Sequence, residues 1–283
     1  MARPTKMTAG VLNIRLHPHP EGVYQDFIRD LFHLRKPVRL HGDRWGMISL
    51  LNPTERGGVA VTGLITTFTK IDLDQPWFDA VNLSEAADDV VAAIDLPENI
   101  FPNATSFNFV FDIQNHRLYI QTYSRGSTFS IRLADKLFQI LSDNLRITRR
   151  FGQASISIVQ SRAGLDRIFA LPVLKRLTFV LQKPNADVFE EDFDENIEAY
   201  LQETRAKQMK IELVAEQGQS IAPNDSLRRV GASALENGSV VGEGRDQDGA
   251  ATRSTKEFPK EIVGNFDPDA EQENLAFRGL VGR

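Results

Sequence analysis

His41, Asp43 and Arg44 fall within the octet RLHGDRWG (39–46), where Gly42 and Gly46 flank an Asp-Arg-Trp triplet. A histidine general base oriented by an aspartate, with an arginine to stabilise an anion, is an arrangement that hydrolytic chemistry uses. On an extended strand His41 and Asp43 share a face and Arg44 opposes them, and the two glycines permit a bulge that re-aims one side chain. The same residue types also make a bent, solvated strand. That is the first reading of the octet, and a ligand contact is the second. Asp72 and Asp74, in TKIDLDQPW, place two carboxylates on one face of an extended segment, a spacing that grips a divalent ion. Joined to His41 and Asp43 they would make a metal-dependent hydrolase or nuclease. Such a site needs a further acid and a lysine on a nearby strand, and only Lys210 and Glu212 in MKIELVAE offer that pair. His17 and His19 in HPHP form a metal half-site with no carboxylate cluster beside it.

Other catalytic plans are missing from the sequence. The chain has no cysteine, which removes disulfides, thiolate nucleophiles and cysteine-based metal sites. The GEG in VVGEGRDQDG follows no strictly apolar strand and opens no helix, so the dinucleotide fingerprint fails on context. No Gly-x-Ser-x-Gly elbow occurs. No cofactor is implied, and whether the chain is an enzyme stays open.

Charge gives the stronger lead. Residues 1–183 carry 22 Lys+Arg against 17 Asp+Glu, whereas residues 184–283 carry 11 against 21. Arg146, Arg149 and Arg150 close one expected helix, Arg162 and Arg167 flank the next, and Lys175 and Arg176 begin the following strand. Arginines clustered at helix ends hold phosphates bidentately, which makes nucleic acid the expected ligand. The competing reading of the same residues is compensation of helix dipoles.

The elements that must position these groups follow from periodicity. GVLNIRLHPH alternates Val11, Asn13, Arg15 with Leu12, Ile14, Leu16, a half-buried strand whose second set faces inward. GVYQDFIRDLFHL spaces its apolar residues as a helix, and Pro37 ends it. PVRLHGDRWGMISLL and GVAVTGLITTFTKI read as two strands. The stretch 72–105, rich in acids and broken by three prolines, reads as a covering loop with a short helix near EAADDVVAAI. SFNFVFDIQNHRLYIQTYS is a hairpin turning at QNH. TFSIRLADKLFQILSDNLRITRRFG is expected as one helix with Leu133, Leu137, Ile140, Leu141 and Leu145 in a stripe and Gly152 as its cap. A strand, helix and strand follow to about residue 183, and that crossover favours one parallel pair. Beyond it come an acid-headed helix over NADVFEEDFDENIEAYLQETRAKQ, the strand MKIELVAE, the capped helix NDSLRRVGASALENG and a glycine-rich hairpin.

Together NIRLHPH, LRKPVRLHGDRWGMI, GLITTFTKIDLDQPWFD, NIFPNATSFNFVFDIQNHRLYIQTY and STKEFPKEI resemble a bacterial family of unknown function, number four-seven-four-seven. The resemblance runs through about residue 268. It brings no activity and no catalytic residues, and it implies a mobile-element or antiviral-defence context. The expected architecture is α+β, a mixed, mainly antiparallel sheet with helices packed on one side. Its expected parts are a mildly basic body (1–183), an acidic C-terminal subdomain (184–265) and a flexible tail (266–283). The expected function is that of a non-enzymatic binding or adaptor protein whose partner is nucleic acid or a protein encoded nearby. No apolar run approaches the roughly 18 residues of a spanning helix, and no leader-like apolar region follows the N-terminus, so a cytoplasmic location is expected.

Overall fold

The computed structural model describes residues 4–17, 20, 22–53, 58–182, 197, 199–201 and 203–282. Strand β1 (Thr5–Arg15) leads into helix α1 (Val23–His33), where Tyr24, Phe27, Ile28 and Leu31 recur at helical spacing and are all buried. The segment read as a single strand from Pro37 to Leu51 is a hairpin, β2 (Val38–His41) and β3 (Arg44–Leu51), followed by β4 (Ala60–Thr69). The acidic excursion after β4 contains two short strands, β5 (Phe78–Asp79) and β6 (Ser84–Glu85), and the expected short helix, α2 (Asp88–Ala92). The hairpin β7 (Thr105–Asp112) and β8 (Arg117–Ser124) turns where expected. The Asp112 carboxylate accepts from the amides of Gln114 and Asn115 at 3.1 Å each, and His116 takes a φ of 54°.

After β9 (Ser127–Thr128), the stretch expected as one helix divides into α3 (Ile131–Ser142) and α4 (Leu145–Phe151). Asn144 causes the break, because its side chain accepts from the Arg146 amide at 3.0 Å and so starts a new helix. The break changes the helical phase. Leu145, expected in the buried stripe, is 70% exposed, and Ile147 takes its place inside. Gly152 closes α4 with a φ of 73°, as expected of a cap.

The chain continues through β10 (Ser155–Ile158), α5 (Arg162–Phe169), β11 (Val173–Gln182), β12 (Gln208–Val214) and α6 (Asp225–Asn237). The hairpin β13 (Gly238–Asp246) and β14 (Gly249–Ser254), strand β15 (Glu261–Phe266) and helix α7 (Glu273–Val281) complete it. The acidic start of the helix expected over 185–208 lies outside the described residues.

Two main sheets result. The larger runs β10-β1-β8-β7-β4-β3-β2, with β15 also paired to β1, and the smaller runs β12-β11-β13-β14. All described pairings between these strands are antiparallel. The parallel pair expected across α5 is not formed. β10 joins β1, whereas the apolar face of β11, Leu177, Phe179 and Leu181, is buried in a second core with Ile168 and Leu235 from α5 and α6. The α+β class and the helical layer stand as expected: α1, α3 and α4 cover Phe107, Phe109, Phe111 and their neighbours on one face of the large sheet. No described helix is long and apolar enough to cross a membrane.

β1 departs from its expected half-burial, since both of its faces are covered. Leu12 and Ile14 face the helical layer, Met7 and Ala9 pack under Phe277 of α7, and Asn13 and Arg15 meet the end of α6. Of residues 266–282, expected as a flexible tail, Phe266 ends β15 and Glu273–Val281 form α7, which docks through Phe277, with a turn between them. The sheets also cut across the expected boundary near 183, because β11 belongs to the smaller sheet and β15 returns to the larger one.

Candidate functional site

The octet folds as a two-residue hairpin turn at Gly42 and Asp43, in place of the bent strand expected. Gly42 supplies the positive φ, 51°, that such turns need at their first central position. Arg39 Nε donates to the Gly42 carbonyl at 2.7 Å, and the Lys70 amide donates to the Asp43 carbonyl at 2.9 Å. Gly46 admits Leu40, whose Cδ1 would stand 2.9 Å from an added Cβ. His41 and Asp43 are exposed, and no hydrogen bond joins them among the described residues. Arg44 is committed elsewhere: its guanidinium donates to Thr67 Oγ1 at 3.0 Å and to the Thr128 carbonyl at 2.7 Å, and burial pushes its pKa down. The turn is therefore a structural tie between β3, β4 and β9. His41→Ala and Asp43→Ala are expected to change stability by less than about 0.5 kcal/mol, and Arg44→Ala to cost about 1.5 kcal/mol, read from urea denaturation midpoints.

The carboxylates of the metal alternative form no metal-holding group with His41 and Asp43 among the described residues. Asp72 Oδ1 accepts from the Asp74 amide at 3.1 Å, a local turn in which both residues are exposed. Lys210 and Glu212 lie on β12, in the other sheet, and pair with each other at 3.3 Å. His19 lies outside the described residues. No group of three His, Asp or Glu side chains fit to hold a metal occurs among the described residues.

The seven basic residues fall into two groups. Arg146, Arg149 and Arg150 ride on α4 in the helical layer, whereas Arg162, Arg167, Lys175 and Arg176 belong to α5 and β11. Several are engaged. Arg150 reaches Asp30 at 2.7 Å and Asp26 at 3.2 Å, pinning α4 to α1. Arg176 lies between Glu212 at 3.7 Å and Glu243 at 3.6 Å. Lys175 Nζ donates to the Gln219 carbonyl at 2.6 Å, and the Arg167 guanidinium sits 4.7 Å above the Phe258 ring. Arg146, Arg149 and Arg162 are exposed and have no carboxylate partner among the described residues.

A polar cluster that sequence reasoning missed lies where the two sheets meet. Arg15 is fully buried, and its guanidinium donates to Gln182 Oε1 at 2.7 Å, Ser155 Oγ at 3.0 Å, Asn237 Oδ1 at 3.2 Å and Ser157 Oγ at 3.3 Å. Asn13 Nδ2 donates to Asn237 Oδ1 at 2.9 Å, and Arg117 pairs with Glu236. Desolvation, followed by the nearby Arg117 charge, pushes the Arg15 pKa down to about 10. This cluster ties β1 and β10 to α6 and the end of β11. It holds no nucleophile beside a base. Its sequence signal was the pair Asn13 and Arg15 on one face of β1, which reads equally well as a solvated face.

Two antiparallel sheets, a helical layer on one of them and a polar joint between them define an α+β protein whose described residues assemble none of the catalytic constellations considered from the sequence. The chain belongs to the domain-of-unknown-function family DUF4747, whose model matches residues 5–282. No curated protein and no solved structure matches it.

Proposed function

We propose that the protein is a non-enzymatic binding or adaptor protein that takes nucleic acid on its helical layer, around α4. The supporting observation is the charge of that layer. The stretches that build it, 22–37 and 130–152, hold eight Lys+Arg against four Asp+Glu, and Asp26 and Asp30 are already matched by Arg150. Arg146 and Arg149 then face solvent without counter-charges among the described residues, as groups that contact phosphates do. The reading goes with a cytoplasmic location and with the mobile-element or antiviral setting that the family resemblance implies.

The test is fluorescence anisotropy with labelled short DNA and RNA, titrated at about 50 and about 200 mM salt. The Arg146→Glu/Arg149→Glu variant is expected to bind at least about tenfold more weakly, with the slope of log affinity against log salt reduced by about two. Arg150 is left intact because it holds α4 on α1. No binding by the natural chain at about 50 mM salt, or affinity unchanged in the variant, overturns the reading.

A further inference from the structure

Residues 71–104 carry eight Asp+Glu and no Lys or Arg. The same excursion exposes large apolar side chains, among them Val81 at 90%, Leu83 at 76% and Phe78 at 68%. Large apolar side chains gathered within the six residues Phe78–Leu83 are the mark of an interaction surface, and single exposed residues are not. The excursion is also built to present them. Its two ends are fixed, by the Lys70 amide on the Asp43 carbonyl at 2.9 Å and by Phe101 stacked on Phe68 with centroids 4.7 Å apart. At the tip, the Asp79 carboxylate accepts from the amides of Val81 at 2.8 Å and Asn82 at 3.1 Å and from the Asn82 side chain at 2.7 Å. Leu83 is held at a φ of 52°, a conformation branched side chains rarely adopt. The apolar tip is thus preorganised before anything covers it.

A surface of complementary chemistry is present on the same chain. Leu145 opens α4 at 70% exposure, with Arg146 beside it and Arg149 one turn further on the same side. No hydrogen bond or ion pair joins the excursion to α4 within one chain among the described residues. We infer that the excursion tip docks on α4 of a second copy of this chain, with Val81 and Leu83 against Leu145 and the excursion carboxylates among Arg146 and Arg149. Charge complementarity selects this occupant, since an uncompensated acidic segment is repelled by nucleic acid and by anionic lipid alike. Exchange of the two contacts between two copies closes the pair, as an isologous dimer requires. The inference does not rest on the nucleic-acid reading; because both use Arg146 and Arg149, the second copy and nucleic acid compete for α4.

Sedimentation equilibrium of the full chain, without nucleic acid, over about 1–200 μM tests it. The expected result is a monomer–dimer equilibrium that weakens at least about tenfold between about 50 and about 500 mM salt. Val81→Asp/Leu83→Asp is expected to weaken it by about 30-fold or more; aspartate tolerates the Leu83 backbone, so the tip survives. Two charge variants keep the inference decidable. Glu85→Lys/Asp88→Lys/Asp89→Lys changes residues 78–89 from four acids to one acid and three lysines, a basic tip on a chain with a basic α4, and Arg146→Glu/Arg149→Glu gives one with both acidic. Each is expected to be monomeric alone, and their equimolar mixture to dimerise, which unfolded variants would not do. A natural chain monomeric at about 200 μM, a dimer indifferent to these substitutions, or a mixture that stays monomeric overturns the inference.

Discussion

Arg15→Ala is expected to destabilise the protein by about 3 kcal/mol. The side chain is wholly enclosed and supplies donors to four acceptors drawn from β10, β11 and α6. Truncation leaves a cavity and buried oxygens short of a partner, effects that together exceed about 4 kcal/mol in comparable sites. Loss of the charge relieves the desolvation that holds its pKa near 10, which trims the cost. Arg15→Met restores most of the volume and none of the donors, so it is expected to fall between the alanine variant and the natural protein. Because the cluster joins two sheets with separate cores, the guanidinium chloride transition of Arg15→Ala is also expected to split, the smaller sheet melting first. A single transition shifted by less than about 0.5 kcal/mol would show that the joint does not depend on this residue.

Phe277→Ala is expected to cost about 4 kcal/mol and to release the C-terminal helix. Phe277 is fully buried among Met7, Ala9, Val110 and Phe266, on the face of the large sheet opposite the main helical layer. Nearby, Glu273 accepts from Gln121 Nε2 and Ser124 Oγ at 2.7 Å each, and Leu280 occupies the space above Gly264, where an added Cβ would lie 2.6 Å from its Cδ1. These contacts latch α7 over β1 and β15. Limited proteolysis reads the effect: the variant is expected to be cut within 267–282 at low protease concentration while the natural chain resists. Equal cutting of both would mean that residues 266–283 form the flexible tail that sequence periodicity suggests.

Much of the fold was legible because its determinants are local. The spacing of Tyr24, Phe27, Ile28 and Leu31 specified α1, the alternation of Phe107, Phe109 and Phe111 specified β7, and Asn224 capped α6 where expected, its side chain accepting from the Leu227 amide at 2.9 Å. Two departures came from single residues that punctuate. Asn144 divides a helix whose apolar stripe runs on across it, and Gly42 turns the chain back where one continuous bent strand was expected, with the register irregularity lying beside the turn between Arg39 and His41. Leu145 shows the consequence, moved from the expected core to the surface by a one-residue cap.

By itself the sequence determined the type of the strongly periodic strands and helices, the lack of thiol chemistry and the uneven distribution of charge, since each depends on residue types and short-range spacing. Tertiary structure alone decided which faces are covered. Asn13 and Arg15 have the pattern of a solvated strand face and are buried because a second sheet, supplied by residues more than 150 positions away, closes over them. It also decided which cations remain available, because Arg150 and Arg176 are matched by carboxylates brought to them from other elements. Pairing over such separations leaves no local trace, since the chain entropy lost in bringing the partners together is offset only once both cores have formed.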